Sequence, residues 1–311
     1  MPQDLMTAAI GRVNKDRLSR DVFHLSKAPL PFRKLNYTVP GHAKCTLYEA
    51  DDFIQAQLES AGWPVEKEAV QVQAFRCDTS KPKAHQYSPP PPEDPWYTAY
   101  NLYAKRRGNA HPDEIIVLCA HKDSQSWVDS PGAHDNATGT SGLIEVCRCL
   151  ADYEPQRSVW FLFCNEEHIP WTSVTAARRC RERGDNVVAV LNCDGFGART
   201  VEEIAADRKV HGMRYTNEEG QQLADLMVRL NEECAIGLEQ TVLRRDRPGD
   251  DDGSFVKAGY GAAIFTGGTS NGEYPAYHRE TDVPEIVDFD TVRMITQVTL
   301  ATLLRLDRRT L

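Results

Sequence analysis

Three apolar runs constrain this chain more than any other feature. Ile115–Ala120 and Val159–Cys164 are continuous, and Val187–Cys193 is nearly so. A strand that is apolar at almost every position has to be covered on both faces, as strands are inside a parallel sheet. Helical patterns separate the runs, over Thr138–Asp152 and Thr172–Arg183, and a further helix fits Asn217–Cys234. Upstream, Leu47–Ala61 reads as a helix ended by Gly62, and Val65–Phe75 and Tyr100–Lys105 read as strands. Downstream, a strand fits Ala262–Thr266 and an amphipathic helix fits Asp288–Leu304. Strands alternating with helices predict an α/β fold: a mixed, mostly parallel central sheet flanked by helices on both faces. Nothing in the 311 residues marks a linker between two cores, so residues 1–311 are read as a single domain.

Two segments stand outside that rhythm. Residues 1–45 read as a helix followed by a loop punctuated by proline and glycine. Residues 85–96, HQYSPPPPEDPW, cannot be helix or central strand, because proline fixes φ and removes a donor. They form a stiff, extended insertion, read either as a surface loop or as a flap beside a pocket.

A net charge of −9 argues against nucleic acid as the main partner, since a phosphate backbone needs a basic surface. The N-terminus has no apolar core of a secretory signal, and no stretch has the length of a membrane-spanning helix. The nine cysteines are odd in number, and several lie inside apolar runs. They read as reduced, buried side chains of a cytoplasmic protein with no membrane contact.

The chemistry lies at the ends of the strands. The first run ends in His121-Lys122-Asp123, the second in Asn165-Glu166-Glu167-His168, and the third in Asp194-Gly195. Ligands of open parallel sheets bind beyond the carboxyl ends of the strands. Taken singly, none of these residues signifies much. His121 reads as a surface histidine, the Glu-Glu pair as solvated, Asp135 as the cap of the next helix, and His278 as nothing in particular. Together they bring imidazoles and carboxylates to one edge, where burial is costly unless a cation pairs with them. Histidine mixed with carboxylates favours zinc over calcium or magnesium, which prefer oxygen shells. Asp123, two residues beyond His121 on an extended chain, shares its side and would fix its tautomer.

The segments AHKDS, PGAHDNATG, NEEH, LNCDGFG and YHRETD, in this order, resemble the zinc aminopeptidases of the bacterial leucyl aminopeptidase type. That superfamily also contains the single-zinc glutaminyl cyclases. The resemblance runs from about Arg33 to the C-terminus. It implies a zinc exopeptidase fold with two zinc ions per chain, held by His121, Asp135, Glu167, Asp194 and His278, with Asp135 bridging. It further implies Glu166 as general base, Asp123 as an orienting carboxylate, Tyr277 as a donor to the oxyanion, and a cis peptide between Asp135 and Asn136. The implied substrate is a short peptide or a small amide metabolite, without nucleic acid or membrane; no oligomeric state follows.

The chain also departs from the pattern. Pro170 and Trp171 stand where the family has a glycine-rich turn, although Ser173 is kept, and Asp251-Asp252 replaces an Asp-His pair before Phe255. His134 is unusual at its position. The stretch Leu243–Arg247 offers arginines for a substrate carboxylate, or is a solvated charged loop. Three rival readings remain: a glutaminyl cyclase, a related carboxypeptidase, and a non-enzymatic relative. The segment PGAHDNATG argues against the first, and the complete ligand set argues against the last.

Overall fold

The apolar runs place alternate side chains in different cores. Ile116, Leu118 and Ala120 join the larger cluster, whereas Ile115, Val117 and Cys119 join the smaller one on the other face. The second run divides likewise, with Phe161 and Phe163 against Leu162 and Cys164. This two-sided burial makes the runs strands. The computed structural model describes residues 3–269 and 274–308. Its strands are β1 (Val65–Ala74), β2 (Arg76–Cys77), β3 (Tyr87–Ser88), β4 (Trp96–Arg106), β5 (His111–His121), β6 (Arg157–Cys164), β7 (His168–Ile169), β8 (Asn186–Asp194), β9 (Val210–Tyr215), β10 (Glu239–Arg244) and β11 (Ala263–Gly267). Its helices are α1 (Gln3–Ile10), α2 (Lys15–Ser26), α3 (Thr46–Ser60), α4 (Gly139–Cys149), α5 (Thr172–Arg183), α6 (Val201–Ala205), α7 (Glu218–Glu233), α8 (Asp250–Lys257) and α9 (Phe289–Arg308).

Among the described residues, nine strands form one sheet in the order β10-β9-β11-β8-β5-β6-β4-β1-β7. The central strands β11, β8, β5 and β6 are parallel, β9 runs antiparallel to β11, and β4, β1 and β7 add antiparallel pairs at the far edge. Side chains of α1–α4, α7 and α9 bury against the larger core, and those of α5 and α8 against the smaller. The sheet is therefore mixed, parallel at its centre and covered on both faces, as predicted. A register shift where β5 meets β8 (Ile115↔Val187, Ile116↔Ala189) lets Val187 and Val190 share a face despite their odd spacing.

Several elements differ from the sequence reading, among them the short β2, β3, β7 and α6, which it does not contain. The N-terminal helix is two helices, because the Asn14 side chain accepts from the Arg17 amide and restarts the backbone as α2. Strands β9 and β10 were not predicted; they are short and alternate weakly. Helix α8 begins with three aspartates and contains Gly253, which masks its periodicity. No helix among the described residues is long and apolar enough to cross a membrane.

Candidate metal centre

Register brings the strand ends level. His121 pairs with Cys164 across β5 and β6, and Cys119 pairs with Asn192 across β5 and β8. His121, the Glu166–Glu167 turn and Asp194 therefore emerge at one height. Asp135 comes from an irregular helical turn, Ala133–Thr138, between β5 and α4, and its peptide to Asn136 is cis. The Asn136 side chain fixes this turn to β8 by accepting from the Gly139 and Gly195 amides (2.9 and 3.2 Å) and donating to the Cys193 carbonyl (2.9 Å). A Cβ on Gly139 would lie 2.2 Å from that same carbonyl, so only glycine permits the approach. Asp282 holds the turn from the other side. Its carboxylate accepts from the His134 and Asp135 amides (3.0 and 3.1 Å) and meets the His134 ring at 2.9 Å.

The five predicted ligands meet as two buried triads with one member in common: His121, Asp135 and Asp194, and Asp135, Glu167 and His278. His121 Nε2 lies 3.0 Å from Asp135 Oδ1 and 3.4 Å from Asp194 Oδ1. His278 Nε2 lies 3.2 Å from Asp135 Oδ2 and 3.5 Å from Glu167 Oε1. Donors about 2.0–2.2 Å from a tetrahedral centre stand roughly 3.3–3.6 Å apart, so the spacings suit a small cation. In both imidazoles a backbone carbonyl faces Nδ1, that of Asp123 at 3.2 Å for His121 and that of Ala84 at 2.8 Å for His278. A carbonyl only accepts, so each Nδ1 carries the proton and each Nε2 turns its lone pair toward the triads.

The electrostatics ask for positive charge. Burial disfavours the charged imidazole of His121, yet contacts with Asp123, Asp135 and Asp194 outweigh it and hold the group well above its usual range. Burial, with repulsion from Asp135 and Asp250, pushes Asp194 up to about 6 despite His121. Burial and then Asp251 and Asp250 push Glu166 well above the usual carboxylate range. One Glu166 oxygen, Oε2, is buried with no hydrogen-bond partner among the described residues. Buried carboxylates that raise one another in this way fit a site built around cations.

Asp123 does more than orient His121. Its carboxylate stands 3.4 Å from the ring, and it also accepts from the Glu166 and Glu167 amides (3.0 and 2.9 Å) and meets the His168 ring at 2.8 Å. Burial works against the charge, but the two histidines hold Asp123 below its ordinary range. Gln125 donates to Glu167 Oε1 at 2.7 Å. Arg33, fully buried, donates to the carbonyls of Lys122, Leu25, Pro131 and Gly132, tying the N-terminal segment to both ligand loops. Sequence reasoning assigned no role to His168, Gln125, Asp282 or Arg33. His168 and Asp282 lie inside quoted motifs, so a signal existed for them; Gln125 and Arg33 carry none.

A pocket of about 160 Å³ opens over the triads, walled by Phe75, Tyr87, Trp127, Trp171 and Tyr277 with Glu166 and Asp250. Drug-sized ligands occupy about 300–1,000 Å³, so this space suits a small group. The Tyr277 ring stacks on His278 at 3.7 Å. The proline-rich insertion lies on the surface beside the pocket, and with the preceding residues 76–84 it makes a flap that carries Tyr87 to the pocket wall. Leu243 and Arg244 finish β10, and Arg245 turns inward to Asp250 (2.8 Å) and Asp252, so Arg245 is committed within the protein.

The model of peptidase family M28 matches residues 101–303. A probable zinc metalloprotease of Pyrenophora teres f. teres is 27% identical over 248 residues, covering 66% of this chain and 51% of its own length. A counterpart in Pyricularia oryzae is 27% identical over 246 residues, covering 65% and 48%. The chain thus spans about half the length of these curated relatives. Among solved structures, the LapA aminopeptidase of Legionella pneumophila superposes with a TM-score of 0.76 at 17% identity, covering 100% of this chain and 76% of its own. A glutaminyl cyclase of Bacteroides thetaiotaomicron gives 0.69 at 15% identity, covering 93% and 97%. At such identities the likeness is one of fold.

Proposed function

The chain belongs to peptidase family M28, and from that premise we propose that it is a two-zinc hydrolase of aminopeptidase type, acting on short peptides or a small amide metabolite. The observation that carries the reading is the pair of buried triads joined through Asp135, with Glu166 lining the same pocket. His121 and Asp194 would hold one ion and Glu167 and His278 the other, with Asp135 serving both triads. The chemistry that bound zinc would supply there is polarisation of the scissile carbonyl and a lowered pKa for a water. Glu166, on the wall of the same pocket, would take the water proton and return it to the departing amine. Burial, then Asp135 and Glu167, push the Tyr277 hydroxyl well above its ordinary pKa, so it stays protonated and donates to the oxyanion. Asp123 positions His121 and, through their amides, both glutamates. The aromatic walls exclude water and take the side chain next to the cleaved bond. We also propose a cytoplasmic location, a reading that nine cysteines without a disulfide support.

A library of peptides and dipeptides, digested with zinc and again with chelator and read by mass spectrometry, tests this reading. Chelator-sensitive removal of single N-terminal residues is the expected result. Loss of ammonia from N-terminal glutamine would replace it with a cyclase, and a metal count of one would remove the second ion.

A further inference from the structure

The two ligand imidazoles are oriented by very different means. His121 Nδ1 is held by the carbonyl of Asp123, two residues along the same strand end and buried with it. His278 Nδ1 is held by the carbonyl of Ala84, 194 residues away, at the tip of the flap. That tip, residues 78–86, carries a single helical turn, Lys83–His85, between β2 and β3, and its residues are exposed or half-buried. Its base is firm. Cys77 pairs with Tyr87, and Arg76 grips Asp94 through two hydrogen bonds. The tip is closed on itself by the Asp78 amide, which donates to the Gln86 carbonyl at 3.0 Å, and against the rest of the protein it is held by the Ala84 bond, by His85 edge-on to Tyr277 at 6.5 Å, and by an exposed Lys83–Glu280 pair at 2.7 Å. Exposed pairs contribute little, and segments with few buried contacts open locally.

Building on the two-ion reading, we propose that the flap tip is a positioning element of the second metal site. The Ala84 carbonyl sets the tautomer and aim of His278 and thereby the affinity of the Asp135–Glu167–His278 triad for its ion. Closing the flap and filling that triad are one coupled event. Tyr87, on the same flap, lies against Trp127 at 4.9 Å and against His278 at 5.9 Å, so closure also completes the pocket wall. Coupling is reciprocal, so an ion in this triad must in turn hold the flap shut.

The test replaces Asp78–Gln86 by Asn-Gly, a two-residue turn that suits the Cys77–Tyr87 pair and keeps Tyr87. Metal-stripped wild type and variant are titrated with zinc against a chromophoric chelator. The expected result is a fall of about ten- to a hundred-fold in the affinity of one equivalent, the size typical of losing a partner that orients a ligand, with the other unchanged. In a His278→Ala background the same replacement should change nothing. The milder Lys83→Glu, which sets two acids against each other, should give a smaller loss at the same equivalent. In wild type, trypsin should cut after Lys83 more slowly once the second equivalent is bound. Two unaltered affinities, an equal loss at both sites, or cleavage indifferent to zinc would overturn the coupling. A wild type binding one equivalent would overturn the two-ion reading instead, and the coupling would then stand or fall on whether that single affinity drops in the turn variant.

Discussion

Glu166 and Glu167 are consecutive in the chain and yet placed for different work. Both amides donate to Asp123, which fixes the turn, while Glu167 points into a triad and Glu166 keeps one oxygen unpartnered. On the proposed mechanism Glu166→Gln retains both ions and loses about 10²- to 10⁴-fold in kcat. Turnover at the wild-type rate in a metal-replete variant would remove Glu166 as the base. Arg33 illustrates a structural role of comparable weight. Burial lowers its pKa to about 10 against the pull of Asp123 and Asp282, a range in which it stays charged at neutral pH. Its bonds go to carbonyls, and unsatisfied buried groups cost roughly 1–3 kcal/mol each. Arg33→Met should therefore cost about 3 kcal/mol or more in urea unfolding, and a loss below 1 kcal/mol would show that the loops are held by other contacts.

At the scale of elements, the edge strands are joined through one histidine. His211 on β9 meets Thr266 Oγ1 on β11 at 2.7 Å and accepts from the Gln240 amide on β10 at 2.9 Å. The Gln240 donor leaves Nδ1 as an acceptor, so the ring is neutral with its proton on Nε2. Burial pushes its pKa down to about 3. The folded value lies below the unfolded one, near 6.5, so the unfolded chain takes the proton first. Stability is complete above about pH 6.5 and falls by roughly 1.4 kcal/mol per unit toward pH 3. Wild type should lose about 2 kcal/mol more than His211→Gln between pH 7.5 and 5, read from urea midpoints. Parallel losses would show that His211 does not govern the acid limb. Gly139→Ala tests the junction of α4 with β8. The added methyl must displace the Cys193 carbonyl or the Asn136 side chain, so lower zinc affinity should accompany lower stability. A variant that binds zinc as tightly as wild type would show that the junction yields without disturbing Asp135.

For the molecule as a whole, the site is a concentration of negative charge at the edge of a sheet whose centre is apolar. On the two-ion reading, ions that bind only the folded state stabilise it by mass action, about 2.7 kcal/mol at a hundredfold excess over Kd. Chelation should lower the melting temperature by several degrees, and zinc should restore it in proportion to the logarithm of its free concentration. A melting temperature indifferent to chelator would mean that the acidic cluster tolerates its own repulsion. What could be read from the chain alone was chemistry with a local signature. Apolar runs marked the central strands because burial on both faces leaves no polar position, and the residues ending those runs marked the site. The two triads then form from residues already named. The proline-rich insertion stayed ambiguous because proline dictates backbone shape without dictating where the loop rests. Tertiary structure decided that, along with the edge strands, the Asp282 clasp, the Arg33 bonds and the Ala84 contact with His278. These join residues distant in sequence, and many run through backbone groups. Every residue type except proline offers the same amide and carbonyl, so such a bond leaves no mark on the sequence and exists only once the fold brings its two ends together.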